Sequence, residues 1–268
     1  MRRSLAKVIV GRTIQSVHLR RRDVVHGPCS ATALLKGCRL DHLERLGKQL
    51  ALMSAPPGAD TACICFHLGM TGSLCFLPSH QPIADSAKHC HIIWRLEGGG
   101  QLVFQDSRRF GGVWTFASPA QLWSCRWHQL GPDATRITPG ELHKRLLHTR
   151  CAIKSVLLDQ HIIAGLGNIY VDELLFTCRL HPRTPADCIN ILQIQRLIRH
   201  MRNLLKRSIA AGGSTLRNYV DGNGQSGRFQ VNHKVYGRAG GSCVHCNGNL
   251  SMLKVSGRTT VFCSYCQK

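Results

Sequence analysis

The chain has 268 residues, 43% of them hydrophobic, which is enough to bury a substantial core and to form more than one domain. Lys and Arg number 35 against 14 Asp and Glu, so the formal net charge is +21. These basic residues spread from Arg2 to Lys268, so the charge is not confined to a single basic tail. No apolar run approaches membrane-spanning length, which excludes a membrane-embedded protein. The charge predicts a polyanionic partner, most simply nucleic acid, although composition alone also fits a ribosome-associated or generally basic protein.

The first predicted element is a short helix over residues 2–10. Its apolar residues follow helical spacing, and Gly11 supplies the left-handed residue that commonly ends a helix. From residue 13 to residue 116 the pattern changes to short apolar runs separated by turn residues, which predicts strands. Gly98-Gly-Gly100 lies between two of these runs and predicts a hairpin turn. Many strands without a long helix indicate a β-sandwich or barrel.

Beyond Ser118 the spacing of the apolar residues becomes helical. Gly212-Gly213 closes the last predicted helix, and a polar, glycine-rich loop follows from Asn218 to Gln230. The predicted helices cover residues 141–148, 153–159, 168–178 and 191–209.

The chain ends with two Cys-x-x-Cys pairs, Cys243-Val-His-Cys246 and Cys263-Ser-Tyr-Cys266, separated by 16 residues. Two close pairs of thiolates are what tetrahedral Zn²⁺ requires, so the pattern predicts one structural zinc ion, with a pair of disulfides as the alternative. The residues between the pairs alternate apolar and polar around Ser256-Gly257, which predicts a β-hairpin with Arg258 near its tip. An arginine presented in this way points towards phosphate.

The remaining cysteines, among them Cys29, Cys63, Cys65 and Cys151, lack the spacing of a disulfide framework, which fits free thiols in a reducing compartment. The N-terminal segment resembles a signal peptide only superficially, because Lys7 interrupts a short apolar run and no small-residue cleavage site follows. We therefore expect a soluble, cytoplasmic protein.

Three glycine-bounded loops carry residues suited to binding nucleic acid. Asp106-Ser-Arg-Arg-Phe-Gly-Gly112 offers two arginines for phosphate and a phenylalanine for insertion between bases, unless the ring packs inward in an ordinary turn. His67-Leu-Gly-Met-Thr-Gly-Ser73 offers Met70 as an apolar wedge, although a buried methionine is the commoner arrangement. Ile163-Ala-Gly-Leu-Gly-Asn-Ile-Tyr170 places Asn168 at a predicted helix start, where backbone amides can hold a phosphate or form a purely structural turn.

The order of these motifs along the chain is more specific than any one of them. In that order the chain resembles the bacterial formamidopyrimidine-DNA glycosylases, which excise oxidised purines and then cut the strand, and the resemblance runs essentially from Arg2 to the end. The motifs that carry it are Arg45-Leu-Gly-Lys-Gln-Leu50, His67-Leu-Gly-Met-Thr-Gly-Ser73, Lys88-His-Cys-His91, Asp106-Ser-Arg-Arg-Phe-Gly111, Leu130-Gly-Pro132, Gly165-Leu-Gly-Asn-Ile-Tyr170, Gly213-Ser-Thr-Leu216, Val235-Tyr-Gly-Arg238 and the terminal cysteine pattern.

The resemblance implies an α+β multidomain protein that grips damaged double-stranded DNA. Residues 1–118 would form an N-terminal β-sandwich with a helix remnant, and residues 119–235 a helix-two-turn-helix domain. Residues 236–268 would form the four-cysteine zinc β-hairpin. Within the second part, residues 217–230 resemble the mobile loop that closes over the everted base.

The resemblance also assigns roles to single residues. The damaged nucleotide is rotated out of the duplex, and Met70, Arg108 and Phe110 match the residues that fill the vacated space. Arg108 would also recognise the orphaned cytosine. Lys48 matches a lysine implicated in β-elimination, and Arg258 matches the hairpin arginine implicated in δ-elimination. Positions that contact phosphate or line the DNA cleft are matched by His67, His89, Arg109, Arg150 and Asn168.

In the family, a proline amine in a Pro-Glu-Leu-Pro-Glu opening attacks the sugar and forms a Schiff base. That opening is not in the sequence, which starts just before the Arg-Arg pair of the family pattern. The offset is roughly nine residues, or up to ~14 Å if helical. We therefore expect the 268-residue polypeptide by itself to give little covalent trapping with damaged DNA.

Two hypotheses from different classes follow. In the first, the gene encodes a base-excision-repair DNA glycosylase and AP lyase acting on oxidised purines, including 8-oxoguanine and formamidopyrimidines, with the start placed too late. In the second, the chain is a non-catalytic, zinc-containing binder of damaged or abasic DNA. Either protein would be a monomer in the bacterial cytoplasm, associated with the nucleoid. The coding sequence upstream of Met1 discriminates between them.

Overall fold

The computed structural model describes residues 1–55, 61–81, 83, 87–215 and 220–268. The chain divides into two compact units, one formed by Met1–His128 with Ala211–Arg228 and the other by Gln129–Ala210 with Phe229–Lys268. Each unit is therefore built from two separate stretches of chain. The three-part division at residues 118 and 235 stays a prediction.

The first unit begins with helix α1 (Arg2–Ile9), which buries Leu5 and Ile9 against the strands that follow. The helix ends before Gly11, as predicted, and the φ of +83° at Gly11 lies in the left-handed region that favours glycine. The strands that follow are β1 (Ile14–Leu19), β2 (Val25–His26), β3 (Arg39–Leu46), β4 (Gln49–Ala55), β5 (Ala62–His67), β6 (Gly72–Leu77), β7 (Cys90–Leu96), β8 (Gln101–Asp106) and β9 (Gly112–Phe116).

The strands form two sheets, which confirms the predicted sandwich. A four-stranded sheet has the order β1-β7-β8-β6, and a five-stranded sheet has the order β2-β9-β5-β4-β3. The two sheets share one core, because Phe66 of β5 packs against Trp94 of β7 and Phe104 of β8, with ring centroids 5.7 and 6.1 Å apart. The predicted Gly98–Gly100 turn joins β7 to β8.

Helix α2 (Pro119–Cys125) follows the last strand of the sandwich and was not among the predicted helices. Its seven residues are too few to show a helical period, but the hydroxyl of Ser118 accepts a hydrogen bond from the amide of Gln121, and Pro119 opens the first turn. The start of the helix was therefore encoded by a local cap and not by apolar spacing.

The second unit contains helices α3 (Pro139–Leu146), α4 (Ile153–Leu158), α5 (Asn168–Thr177) and α6 (Ile191–Ala210). Helix α3 begins two residues before its predicted start, because Thr138 and Glu141 form a capping box. Leu142, Leu174 and Leu197 contribute to one buried core shared by α3, α5 and α6. Of the helices in the described residues, none is long and apolar enough to span a membrane.

The C-terminal strands β10 (Ser251–Val255) and β11 (Arg258–Phe262) form the predicted hairpin. Ser256 and Gly257 at its tip have φ values of +48° and +71°, as a two-residue turn with the twist of a hairpin requires. The hairpin module rests on α5, where Phe176 packs with Leu250 and Val261 and stacks on the ring of His245.

Candidate nucleic-acid interface

The structure brings Met70, Arg108 and Phe110 together. The guanidinium of Arg108 lies over the Phe110 ring, 4.3 Å from its centroid, and its Nη1 lies 4.0 Å from the sulfur of Met70. Met70 is 65% exposed and Phe110 is 55% exposed, so neither adopts the buried arrangement that an isolated motif would favour. Two apolar side chains held in solvent around one arginine are suited to entering a base stack.

The loops that carry these residues touch each other through their backbones. A Cβ atom on Gly69 would lie 2.6 Å from the carbonyl carbon of Phe110, and one on Gly111 would lie 2.4 Å from the carbonyl oxygen of His67. Glycine is therefore required in both loops for this approach. The pairing of β6 with β8 places the two loops at the same end of the sheet.

Asp106 organises both loops, a role that the sequence pattern did not assign to it. It is 1% exposed, and its carboxylate accepts hydrogen bonds from the hydroxyl of Thr71, from the amide of Arg108 at 3.2 Å and from the amide of Gly111 at 2.7 Å. A buried carboxylate is stable only when such donors surround it. One sequence feature could have indicated this role. Asp106 ends an apolar strand and directly precedes a basic loop that is bounded by glycines.

Lys48 and His67 lie at neighbouring positions on the five-stranded sheet. Lys48 occupies the two-residue turn between β3 and β4, and the next residue, Gln49, pairs with His67 of β5. Burial lowers the pKa of His67 below its ordinary value, and the nearby charges of Arg126 and Lys48 lower it further. The imidazole is therefore neutral at neutral pH and can offer phosphate a hydrogen bond but no charge.

We predict that His67→Ala will weaken DNA binding without changing its salt dependence above pH 7, since no charge is lost. Lys48→Gln serves as the comparison, because it removes one positive charge at the neighbouring position. It should lower the magnitude of the slope of log affinity against log salt by about 0.9. Fluorescence anisotropy with a labelled duplex over a salt series measures both. A reduced slope for His67→Ala at pH 7.5 would show that the imidazole is charged in the complex.

His89 and Arg109 both adopt left-handed backbone conformations, with φ values of +63° and +53°. Such conformations are uncommon for residues other than glycine and are concentrated at functional sites. Arg109 also forms a short ion pair with Asp23, with Nη1 and Oδ2 2.5 Å apart. Both residues line one cavity of the first unit.

In the second unit, Asn168 and Arg258 lie beside each other. Asn168 is the first residue of α5, and its Nδ2 donates a hydrogen bond to the carbonyl of Thr259 at 2.9 Å, next to the exposed Arg258. Its buried Oδ1 has no hydrogen-bond partner among the described residues. Arg150 instead projects into solvent, 94% exposed, with its Nε 3.6 Å from the carboxylate of Asp187.

A buried ion pair anchors the hairpin behind Arg258, and no motif in the sequence pointed to it. The ammonium of Lys154 on α4 lies 2.5 Å from the carboxylate of Asp172 on α5, and both side chains are fully buried. Lys154 also donates to the hydroxyl of Thr260 and to the carbonyl of Thr259 on β11, and Asp172 accepts from the amide of Val261. Two helices therefore hold β11 in place.

The four terminal cysteines form a metal-binding cluster, as predicted. Their sulfur atoms all lie within 4.8 Å of one another, with 3.9 Å between Cys243 and Cys266 and 3.5 Å between Cys246 and Cys263. Four sulfurs ~2.3 Å from a tetrahedral zinc ion would be ~3.8 Å apart, so the cluster fits the ion. A zinc ion bound by four thiolates has no position for water, so its role is structural.

The predicted capping loop is described only in part, because residues 217–219 lie outside the described residues. Residues 220–228 of the loop belong to the first unit, and residues 229–230 belong to the second. The amide of Gly222 donates to the hydroxyl of Ser4 on α1, and its carbonyl accepts from the amide of Phe76 on β6. Asp221 closes the turn by accepting from the amides of Asn223 and Gln225, at 2.9 Å each.

Two family models match this chain. Residues 1–113 match the formamidopyrimidine-DNA glycosylase N-terminal domain, and residues 130–220 match the formamidopyrimidine-DNA glycosylase H2TH domain. The matched ranges cover the sandwich with its two loops and most of the helical part of the second unit.

Relatives with similar sequences and solved structures agree with these matches. The formamidopyrimidine-DNA glycosylase of Bacillus subtilis is 36% identical over 272 residues, covering 100% of this chain and 96% of the relative. That of Chloroflexus aurantiacus is 38% identical over 269 residues, covering 99% and 94%. A Lactococcus lactis Fpg bound to abasic-site DNA matches with a TM-score of 0.88 and 31% identity, over 100% of this chain and 96% of that one. With both family models and relatives of this identity matched along its length, the chain belongs to the formamidopyrimidine-DNA glycosylase family.

Proposed function

We propose that the protein is a base-excision-repair DNA glycosylase and AP lyase that removes oxidised purines, such as 8-oxoguanine and formamidopyrimidines, from duplex DNA. The observation that carries the proposal is the exposed group of Met70, Arg108 and Phe110 on loops ordered by the buried Asp106. Related Lactococcus lactis proteins have been solved with abasic-site DNA and, as a mutant, with Fapy-dG-containing DNA.

The arrangement of this group suits an enzyme that everts a base. Unstacking a nucleotide costs a few kcal/mol, and the opened stack must be refilled. Met70 and Phe110 supply apolar surface for that purpose, while Arg108 carries hydrogen-bond donors that can satisfy the orphaned base. Asp106 fixes the amides of Arg108 and Gly111, so the loop is already ordered before DNA binds. Binding therefore costs little conformational entropy in this loop.

The remaining roles follow the family. Lys48 and Arg258 would serve the successive elimination steps, and His67, His89, Arg109, Arg150 and Asn168 would contact phosphate or line the DNA cleft. The zinc ion held by Cys243, Cys246, Cys263 and Cys266 would keep Arg258 in position. We expect the protein to act as a monomer in the cytoplasm, on the nucleoid.

The decisive test of this group is lesion preference. Phe110→Ala and Met70→Ala should each reduce the preference for a duplex with an abasic analogue over an intact duplex by about fivefold to thirtyfold, in line with ~1–2 kcal/mol for lost stacking. Affinity for intact duplex should change little, because the residues that bind phosphate are unaltered. Trp123→Ala is the matched control, since this aromatic residue on α2 is 56% exposed and Phe110 is 55% exposed. Equal losses on damaged and intact DNA would contradict the wedge role.

Excision itself is tested by incubating the purified protein with a duplex that contains 8-oxoguanine. Release of 8-oxoguanine and cleavage of the strand by successive eliminations would support the enzyme. Selective binding of abasic DNA without base release would instead support the non-catalytic binder.

A further inference from the structure

Helix α6 has one face on which every charged side chain is positive. Its 20 residues include no Asp or Glu, and its exposed cations are Arg196, Arg199, Arg202, Lys206 and Arg207. At about 3.6 residues per turn, these five positions fall within about 140° of the helix circumference and span ~17 Å along its axis. The opposite side of the helix is buried through Ile194, Leu197 and Met201. The five exposed residues form the cationic face of α6.

The charge of this face is not neutralised within the second unit. In the part of the chain that the structure describes, none of the five cations forms an ion pair with a carboxylate. Arg202 donates instead to the carbonyl of Ile137 at 2.9 Å, and Arg207 lies over the ring of Phe229, 5.9 Å from its centroid. These contacts hold two side chains in place but supply no negative charge. Like charges three or four residues apart on a helix repel, so the face destabilises α6 until an anion approaches it.

A further lysine, from the segment that leads into the hairpin module, adds positive charge beside this face. Burial lowers the pKa of His200 on α6, and the nearby charges of Arg199, Arg196 and Lys234 lower it further. Lys234 is held there because its amide donates to the buried carboxylate of Glu173 on α5 at 2.9 Å. Two separate stretches of chain therefore contribute to one region of positive potential.

The composition of the cationic face favours a nucleic acid over other polyanionic surfaces. An amphipathic helix that binds a membrane inserts its apolar side among the lipids, but the apolar side of α6 is buried in the core with Leu142 of α3 and Leu174 of α5. A protein interface has an apolar or aromatic centre, whereas the exposed Leu192 and Ile209 lie at the two ends of α6 and Arg199 lies between them. Duplex DNA carries one charge per ~1.7 Å of its axis, so a dense row of phosphates runs alongside a face of this length.

We propose that the cationic face of α6 binds a second segment of duplex DNA, separate from the segment that contains the lesion. The face is directed away from α5, the helix that begins at Asn168, so the two segments contact different sides of the second unit. The choice of DNA as the polyanion rests on the proposed function. A protein that holds two segments at once can transfer from one to the other without passing through the free state, which speeds its search for lesions.

The test measures binding of a second duplex. A short abasic-analogue duplex first saturates the lesion site, and an intact duplex with a different fluorophore is then titrated and followed by anisotropy and by energy transfer between the two duplexes. Arg196→Gln/Arg199→Gln/Lys206→Gln should weaken binding of the second duplex by up to about 500-fold at 0.1 M salt and lower the magnitude of its salt slope by about 2.7. The affinity for the first duplex should stay nearly unchanged. Arg202 and Arg207 are left in place because their contacts support the fold.

Two further variants control for net charge and for changes in the helix itself. Arg3→Gln/Lys36→Gln/Arg95→Gln removes the same charge from exposed positions of the first unit and should still bind the second duplex. Arg196→Lys/Arg199→Lys keeps the charge of the cationic face and should also retain this binding, because the salt-dependent term counts charges. Thermal unfolding of each variant verifies the fold, and surface substitutions of this kind change stability little.

Three results would overturn parts of this assignment. Equal losses in the α6 triple variant and in the first-unit triple variant would show that only net charge matters, and the cationic face would be an ordinary solvated surface. Loss of binding to phosphatidylserine vesicles in the α6 triple variant, with the second duplex retained, would assign the face to membranes. A wild-type protein that binds two intact duplexes without preferring the abasic analogue would contradict the proposed function but retain the second DNA segment on α6.

Discussion

Removal of the metal from the four-cysteine cluster will unfold the C-terminal hairpin and weaken DNA binding. Two strands alone are marginally stable in water, whereas a structural zinc site contributes roughly 10–16 kcal/mol of apparent binding free energy. Cys263→Ser or a strong chelator should therefore release β10 and β11 from α5. Arg258 at the start of β11 and Thr259, which binds Asn168, would move with them.

Circular dichroism and zinc release measure the unfolding, and anisotropy with an abasic-analogue duplex measures the binding. Affinity should fall by roughly tenfold at 0.1 M salt for each DNA phosphate that the protein no longer neutralises. Cys151→Ser is the control, because Cys151 is a free, exposed thiol outside the cluster. If the metal-free Cys263→Ser protein binds this duplex with unchanged affinity, the hairpin is not part of the DNA-binding surface.

Lys154→Met will destabilise the second unit by about 3–5 kcal/mol, because it leaves the carboxylate of Asp172 buried without its cation. The hydrogen bonds to Thr259 and Thr260 are lost as well, so β11 loosens behind Arg258. Thermal and denaturant unfolding measure the stability, with Lys144→Met on the exposed face of α3 as the control. The double variant Lys154→Met/Asp172→Leu should recover much of the loss, since neither charge then remains buried.

The loss of stability caused by Lys154→Met should also depend on pH. Burial raises the pKa of Asp172 to about 6 against the opposing effect of Lys154, so removal of Lys154 raises that pKa further. A carboxyl whose pKa is higher in the folded protein than in the unfolded chain loses stability as pH rises through the folded value. The deficit should therefore be smaller at pH 5 than at pH 8. A loss independent of pH would indicate that packing, and not the uncompensated carboxylate, is responsible.

Elements with a strong local signal were predicted close to their observed bounds. Helix α6 was predicted over residues 191–209 and spans Ile191–Ala210, because its apolar stripe repeats over five turns. The hairpin of β10 and β11 followed from Ser256-Gly257 and from alternation on either side. Helix α2 was missed because seven residues carry too little periodicity, and α3 was shifted because its start depends on a hydrogen-bonded cap.

The sequence by itself determined the features whose chemistry is local. The spacing of the four cysteines specified a metal cluster, since each pair places two sulfurs on one tight turn. The excess of Lys and Arg indicated a polyanionic partner, because net charge acts at long range and needs no particular fold. The order of the motifs was enough to indicate the family.

Only the tertiary structure decided which of these residues work together. Met70 and Arg108 are 38 positions apart and meet because β6 pairs with β8 and because Asp106 binds both loops. Lys154 and Thr260, 106 positions apart, meet beneath the hairpin. These arrangements depend on strand register and on the satisfaction of buried polar groups, which are properties of the packed chain and leave no periodic trace in the sequence.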